Sequence, residues 1–162
     1  MIRHFKLLLL LGTITSPSCD GHRIVSDNSG AMSPILKPGT KYLVSYSAYK
    51  NSVPKRWDII LFHPFGDPQS LYIMRVVGLP QETINIVSNR ITINGETLVT
   101  PSKLGQILYQ PPRTLSTNQD LKMPFQIPPG SYYVLGDNPV AANDSRYIGP
   151  IGAKDIIGRV EE

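Results

Sequence analysis

What most limits the folding of this chain is how often it is interrupted. Fifteen prolines and thirteen glycines are spread over 162 residues. Proline removes a backbone donor and glycine favours turns, so a helical bundle is disfavoured and short strands joined by many turns remain. The local patterns agree from Thr40 onward. "KYLVSY" (Lys41–Tyr46) is rich in β-formers, "DIILF" (Asp58–Phe62) is a continuous apolar run, and "YIMRVVGL" (Tyr72–Leu79) is another, stopped by Pro80. "TINIV" and "RITI" alternate on either side of Ser88-Asn89, and Asn94-Gly95 is a type I′ hairpin signal before "ETLVT". These three segments predict a three-stranded meander. Residues 101–130 carry six prolines and read as an irregular surface excursion. "YYVLG" (Tyr132–Gly136) and "DIIGRV" (Asp155–Val160) resume and close the strand pattern. The fold class expected is mainly β, with irregular excursions.

Charge and residue counts exclude several functions. There are 16 basic and 12 acidic residues, and 14 against 12 once Arg3 and Lys6 of the N-terminus are set aside. With no basic cluster and no aromatic–basic alternation, a nucleic-acid partner is not expected. A single cysteine, Cys19, excludes an intrachain disulfide. Three scattered histidines give no metal-ligand spacing, so neither metal nor cofactor is expected.

Residues 1–19 form a segment distinct from the domain expected over 20–162. Arg3 and Lys6 make a basic start, Leu7–Ile14 an apolar stretch, and Thr15, Ser16 and Ser18 a small, polar end. That is a secretory targeting pattern. The apolar stretch falls short of the ~20 residues that span a bilayer. Cys19 stands where a bacterial lipoprotein would be cleaved and acylated, although Ser16 occupies the place where a leucine is usual. Three readings stay open: lipid attachment at Cys19, an uncleaved membrane-associated segment, and a cleaved signal with an incidental cysteine. Each places the domain outside the cytoplasm, and the first two hold it at a membrane.

Four segments, in order, resemble the signal peptidase I family of S26 serine peptidases. "SGAMSPIL" (Ser29–Leu36) is similar to S-x-S-M-x-P-T-L, and "KRWDIILF" (Lys55–Phe62) to R-G-D-I-V-x-F. "YIMRVVGLP" (Tyr72–Pro80) is similar to Y-x-K-R-x-x-G-L-P, and "LGDNPVAANDSRYIGPI" (Leu135–Ile151) to G-D-N-x-x-x-S-x-D-S-R-x-x-G. The resemblance implies a β-sheet/barrel domain with its site on the surface facing the membrane, and a Ser–Lys dyad chemistry. In that chemistry a serine hydroxyl attacks the peptide carbonyl and a lysine, kept neutral by burial, takes its proton. A second serine holds the lysine, and a hydroxyl and a backbone N–H stabilise the oxyanion.

Carried over position by position, the dyad is absent. Ala31 stands at the nucleophile, Met74 at the base and Ala142 at the lysine-orienting serine. Ser29, at the oxyanion hydroxyl, remains. Methionine fills a lysine-sized tunnel without an unpaired charge, and Ala142 strands no hydroxyl, so the changes match as a set. Ser33 is a poor substitute nucleophile. A two-residue step moves a hydroxyl roughly 7 Å, against a catalytic tolerance of ~0.5 Å. Arg75, Asp137, Asp144 and Arg146 stand where the family pairs charges to brace the site. Met32, Leu36, Tyr72 and Ile73 match residues lining pockets for small substrate side chains, and plain core packing explains them equally well. Asp27-Asn28, Trp57 (for glycine) and Gln81-Glu82 (for Gly-Asp) depart from the pattern. Three functions follow as expectations: a non-catalytic protein binding signal peptides or another extended polypeptide, a partner or regulatory subunit of an active S26 relative or secretion complex, and an active peptidase with an altered dyad.

Overall fold

The computed structural model describes residues 21–64, 67–105, 107–109 and 122–161. Within them run β1 (His22–Ser26), β2 (Lys41–Ser45), β3 (Ile59–Phe62), β4 (Tyr72–Gly78), β5 (Thr83–Val87), β6 (Arg90–Ile93) and β7 (Glu96–Thr97). There follow β8 (Phe125–Gln126), β9 (Ser131–Leu135), a one-turn helix α1 (Ser145–Ile148), β10 (Ile151–Gly152) and β11 (Ile156–Val160). The protein is mainly β. The segment 1–19, with Cys19, lies outside the described residues. Among those described, no helix is long and apolar enough to cross a membrane.

The strands form two antiparallel sheets, in the orders β1-β2-β11-β3-β4-β9-β10 and β7-β6-β5-β8. Every residue of β3 is buried, and so are the last six of β4. That is why both read as continuous apolar runs rather than alternating ones: each sheet face there is covered. The first core gathers around Val44, Ile60, Phe62, Val76 and Val134. The second gathers under the smaller sheet, around Ile84, Ile86, Ile127 and Leu135.

The hairpins follow from turn chemistry. Ser88 and Asn89 have φ of 50° and 63°, and Asn94 and Gly95 have φ of 53° and 89°. Paired left-handed residues give the primed turns whose twist matches that of the strands. The third strand of the meander is shorter than expected. The registered pairs with β6 end at Thr97, one more backbone bond joins Leu98 N–H to Ile91 O (2.9 Å), and Val99 is 83% exposed. Pro101 starts a 3₁₀ turn over Ser102–Leu104 that buries Leu104 and leads the chain off the sheet. The excursion is also less irregular than expected. β8 returns to pair with Thr83 and Ile84, and Ile127 behind it is fully buried. β1, which the sequence reading passed over, is an edge strand placed by its register on β2 (Ile24↔Leu43).

Two departures from the family pattern fall on strained backbone. Trp57 and Gln81, both at motif glycines, have φ of 78° and 68°. A side chain in the left-handed region costs roughly 1–2 kcal/mol. Trp57 offsets this by packing on the second core. Gln81 is exposed and gains nothing comparable. Its neighbour Glu82, where the motif has aspartate, accepts from Leu79 N–H (2.8 Å) and pairs with Arg56 (2.5 and 3.0 Å). Gln81→Gly is therefore expected to raise stability by about 0.5–1 kcal/mol, seen as a melting point roughly 2–4 °C higher. An unchanged or lower melting point would mean that the turn carries no strain.

Candidate functional site

The site is built where the strand ladder gives out after β9. The last pairing between β4 and β9 sets Arg75 opposite Leu135, and Gly136 follows. A methyl group placed on the Gly136 Cα would overlap Ala142 Cβ and lie 2.7 Å from the Ala31 carbonyl oxygen and 3.4 Å from Met74 Sδ. Only glycine leaves room for this approach. Three residues from distant stretches of the chain thus meet at one point: Ala31 and Met74, aligned with the dyad of the family pattern, and Ala142, aligned with its lysine-orienting serine. All are buried: Ala31 and Met74 at 3% and Ala142 at 5% exposure. Two methyl groups and a thioether provide no nucleophile, and no base able to accept a proton at neutral pH.

The segment carrying Ala31 is tied down by backbone carbonyls. Asn138 donates its N–H to the Ala31 carbonyl (2.9 Å) and its side-chain amide to the Gly30 carbonyl (3.2 Å). A turn continues the segment, with Leu36 N–H donating to Met32 O at 2.9 Å. Ser29 is exposed, and its Oγ accepts from Ala31 N–H at 3.1 Å. Its own N–H donates to Asp27 Oδ1 at 2.9 Å, so Asp27, a departure from the family pattern, serves as the local turn acceptor. The Ser29 hydroxyl keeps its proton to donate. Ser33 is partly buried in the next turn. His63 Nδ1 is engaged by the Ser70 carbonyl at 2.7 Å, next to the Phe62↔Tyr72 pair rather than the Ile60↔Met74 pair.

Met32, Leu36 and Ile73 lie in the first core together with Ala31, Met74 and Ala142, and Met32 has no exposed surface at all. Tyr72 is half-buried, edge-on to Phe62 with ring centres 6.0 Å apart. These four therefore pack beside the site, with Tyr72 alone partly open to solvent.

Two buried ion pairs flank Gly136. Arg75 meets Asp137 through two parallel bonds of 2.8 and 2.7 Å and gives a third to the Trp57 carbonyl at 2.8 Å. Arg146 meets Asp144 at 2.8 and 3.0 Å and reaches the Pro139 carbonyl at 2.8 Å. Asp144 also caps α1 and accepts the Gly136 N–H at 3.1 Å. Fork-to-carboxylate geometry is the form in which buried charges are best compensated. Arg75 reaches the site from β4, Asp137 and Asp144 from the loop after β9, and Arg146 from α1.

Sequence reasoning passed over Tyr109. This residue of the 101–130 stretch is buried, donates its hydroxyl to the Gly136 carbonyl at 2.9 Å, and lays its ring 5.6 Å from the Arg146 guanidinium carbon. Burial, then the charges of Asp137 and Asp144, hold its phenol above the usual range, so it stays a donor. No motif marks it. Among the described residues, no three His, Cys, Asp or Glu side chains gather closely enough to hold a metal ion.

Comparison with known proteins shows the family. The family model described as signal peptidase, peptidase S26, matches residues 5–162. Signal peptidase I V of Bacillus subtilis (strain 168) is 31% identical over 135 residues, covering 82% of this chain and 79% of that protein. Signal peptidase I of Leptolyngbya laminosa is 33% identical over 139 residues, covering 81% of this chain and 63% of that protein. The crystal structure of a signal peptidase I from Enterococcus faecalis V583 is 30% identical, with a TM-score of 0.49, and covers 68% of this chain and 100% of that one. The chain belongs to the signal peptidase, peptidase S26, family.

Proposed function

We propose that this protein is a non-catalytic S26 member that binds signal peptides, or another extended polypeptide, at the outer face of a membrane. The observation that carries the reading is the meeting of Ala31, Met74 and Ala142 at Gly136. All three positions have lost their polar groups, while the frame around them is kept: the glycine, both ion pairs and the Asn138 tethers.

Binding can outlive chemistry because different groups perform them. A nucleophile and its base act on the transition state. Ground-state binding of an extended peptide comes from main-chain pairing at a strand edge and from side-chain pockets. Residues 29–36, a turn segment beside the site, are where such pairing would form, and it needs neither a serine nor a lysine. The targeting pattern of residues 1–19 supports a position outside the cytoplasm, held at the membrane by the segment itself or by a lipid on Cys19.

A second reading, a partner or regulatory subunit of an active relative or secretion complex, is favoured by the complete burial of Met32 and the near-complete burial of Leu36. A fluorescent, non-cleavable signal-peptide analogue, titrated against the full chain in phospholipid vesicles, separates the two. Saturable binding competed by unlabelled peptide is expected. If an active signal peptidase I binds the analogue in the same vesicles and this chain does not, the groove reading fails and the partner reading replaces it.

A further inference from the structure

We propose that Tyr109 is a positioning residue for this site, holding the Gly136 peptide against which Ala31, Met74 and Ala142 pack. The proposal rests on the reading of residues 29–36 as the peptide-binding edge. Tyr109 comes from the stretch beyond β7, outside all four family-like segments, yet it reaches the centre of the site.

The need for such a strut follows from where the sheet ends. Leu135 is the last residue of β9 paired to β4. Beyond it, the Gly136 N–H goes to Asp144 Oδ2 (3.1 Å) and the Gly136 carbonyl accepts from the Tyr109 hydroxyl (2.9 Å). The same Tyr109 ring covers Arg146, the partner of Asp144, and Tyr147 packs on Arg146 with its ring centre 5.2 Å away. Two residues on, Asn138 grips the carbonyls of Gly30 and Ala31. A shift of the Gly136 peptide therefore travels through Asn138 to the segment that a peptide would pair with. Tyr133 provides an internal control. It is fully buried in the same apolar cluster as Tyr109, and its hydroxyl has no hydrogen-bond partner among the described residues.

The test compares the natural full chain with Tyr109→Phe and Tyr133→Phe. It reads amide hydrogen exchange by NMR together with affinity for the signal-peptide analogue. Tyr109→Phe is expected to speed exchange at Gly136 and Asn138, and to weaken the analogue, each by about tenfold, the cost of one buried hydrogen bond. Tyr133→Phe is expected to change neither. Unchanged exchange at Gly136 and Asn138 in Tyr109→Phe would overturn the proposal. So would exchange raised equally at every amide, which would make Tyr109 structural only. If local exchange rises but the natural chain binds no peptide, Tyr109 still positions the site, and it is the peptide-binding reading that fails.

Discussion

Asp137→Ala is expected to cost about 3–5 kcal/mol of stability, a large part of what holds a domain of this size together. The reason is what it leaves behind. Arg75 has 1% of its surface exposed and spends two of its bonds on Asp137. Without the carboxylate, a buried guanidinium loses the charged partner that compensates it, while neutral bonds such as the one to the Trp57 carbonyl persist. Water cannot screen it and arginine does not give up its proton. The double variant Arg75→Met with Asp137→Leu removes both charges and is expected to recover most of the loss. Urea unfolding of the three proteins checks this. A loss under about 1 kcal/mol for Asp137→Ala would mean that the pair is solvated and does not brace the site.

The second large effect concerns chemistry. Ala31→Ser, Met74→Lys and Ala142→Ser made together are expected to create signal-peptide cleavage at least ~10³-fold above that of the natural chain, since losing one member of such a unit costs most of its rate. The geometry favours this, because the three positions already converge at Gly136 and Ser29 still offers a hydroxyl beside them. The lysine would enter a pocket where Met74 is 3% exposed. Burial disfavours the ammonium, so its pKa falls, and the neutral amine is the base. The rate of the restored variant should therefore rise with pH through the lysine's lowered pKa and level off above it. Met74→Lys alone is expected to destabilise the fold without yielding cleavage, as it adds a buried amine with neither serine to meet it. A stably folded triple variant that stays silent would mean that the peptide-binding edge has lost its shape.

Much of this was legible in the chain, for physical reasons that also mark where legibility stopped. β5 and β6 announce themselves through alternation and through Ser88-Asn89 and Asn94-Gly95, because two-residue turns are local chemistry. β3 and β4 read as apolar runs because both their faces are covered. β8 and β10 are two residues each, and their strand character comes from partners far along the chain, so no local pattern reveals them. The dyad positions could be read because short motifs surround them. Their meeting at Gly136 is tertiary. The contrast between Trp57 and Gln81 is tertiary too, since one strained side chain reaches a core and the other does not. Tyr109 carries no signal, being a lone tyrosine in a proline-rich stretch whose role depends on a carbonyl 27 residues away.

The central claim is that this S26 protein binds without cutting, and the most direct test is to ask the natural full chain to cut. A preprotein with a cleavable signal peptide would be incubated with it in phospholipid vesicles, beside an active signal peptidase I, and the products separated by mass. The account predicts intact preprotein after incubations in which the active enzyme has gone to completion. Cleavage at the signal-peptide junction by the natural chain, abolished by mutating a residue of that chain, would contradict it and require a nucleophile other than the residue at position 31.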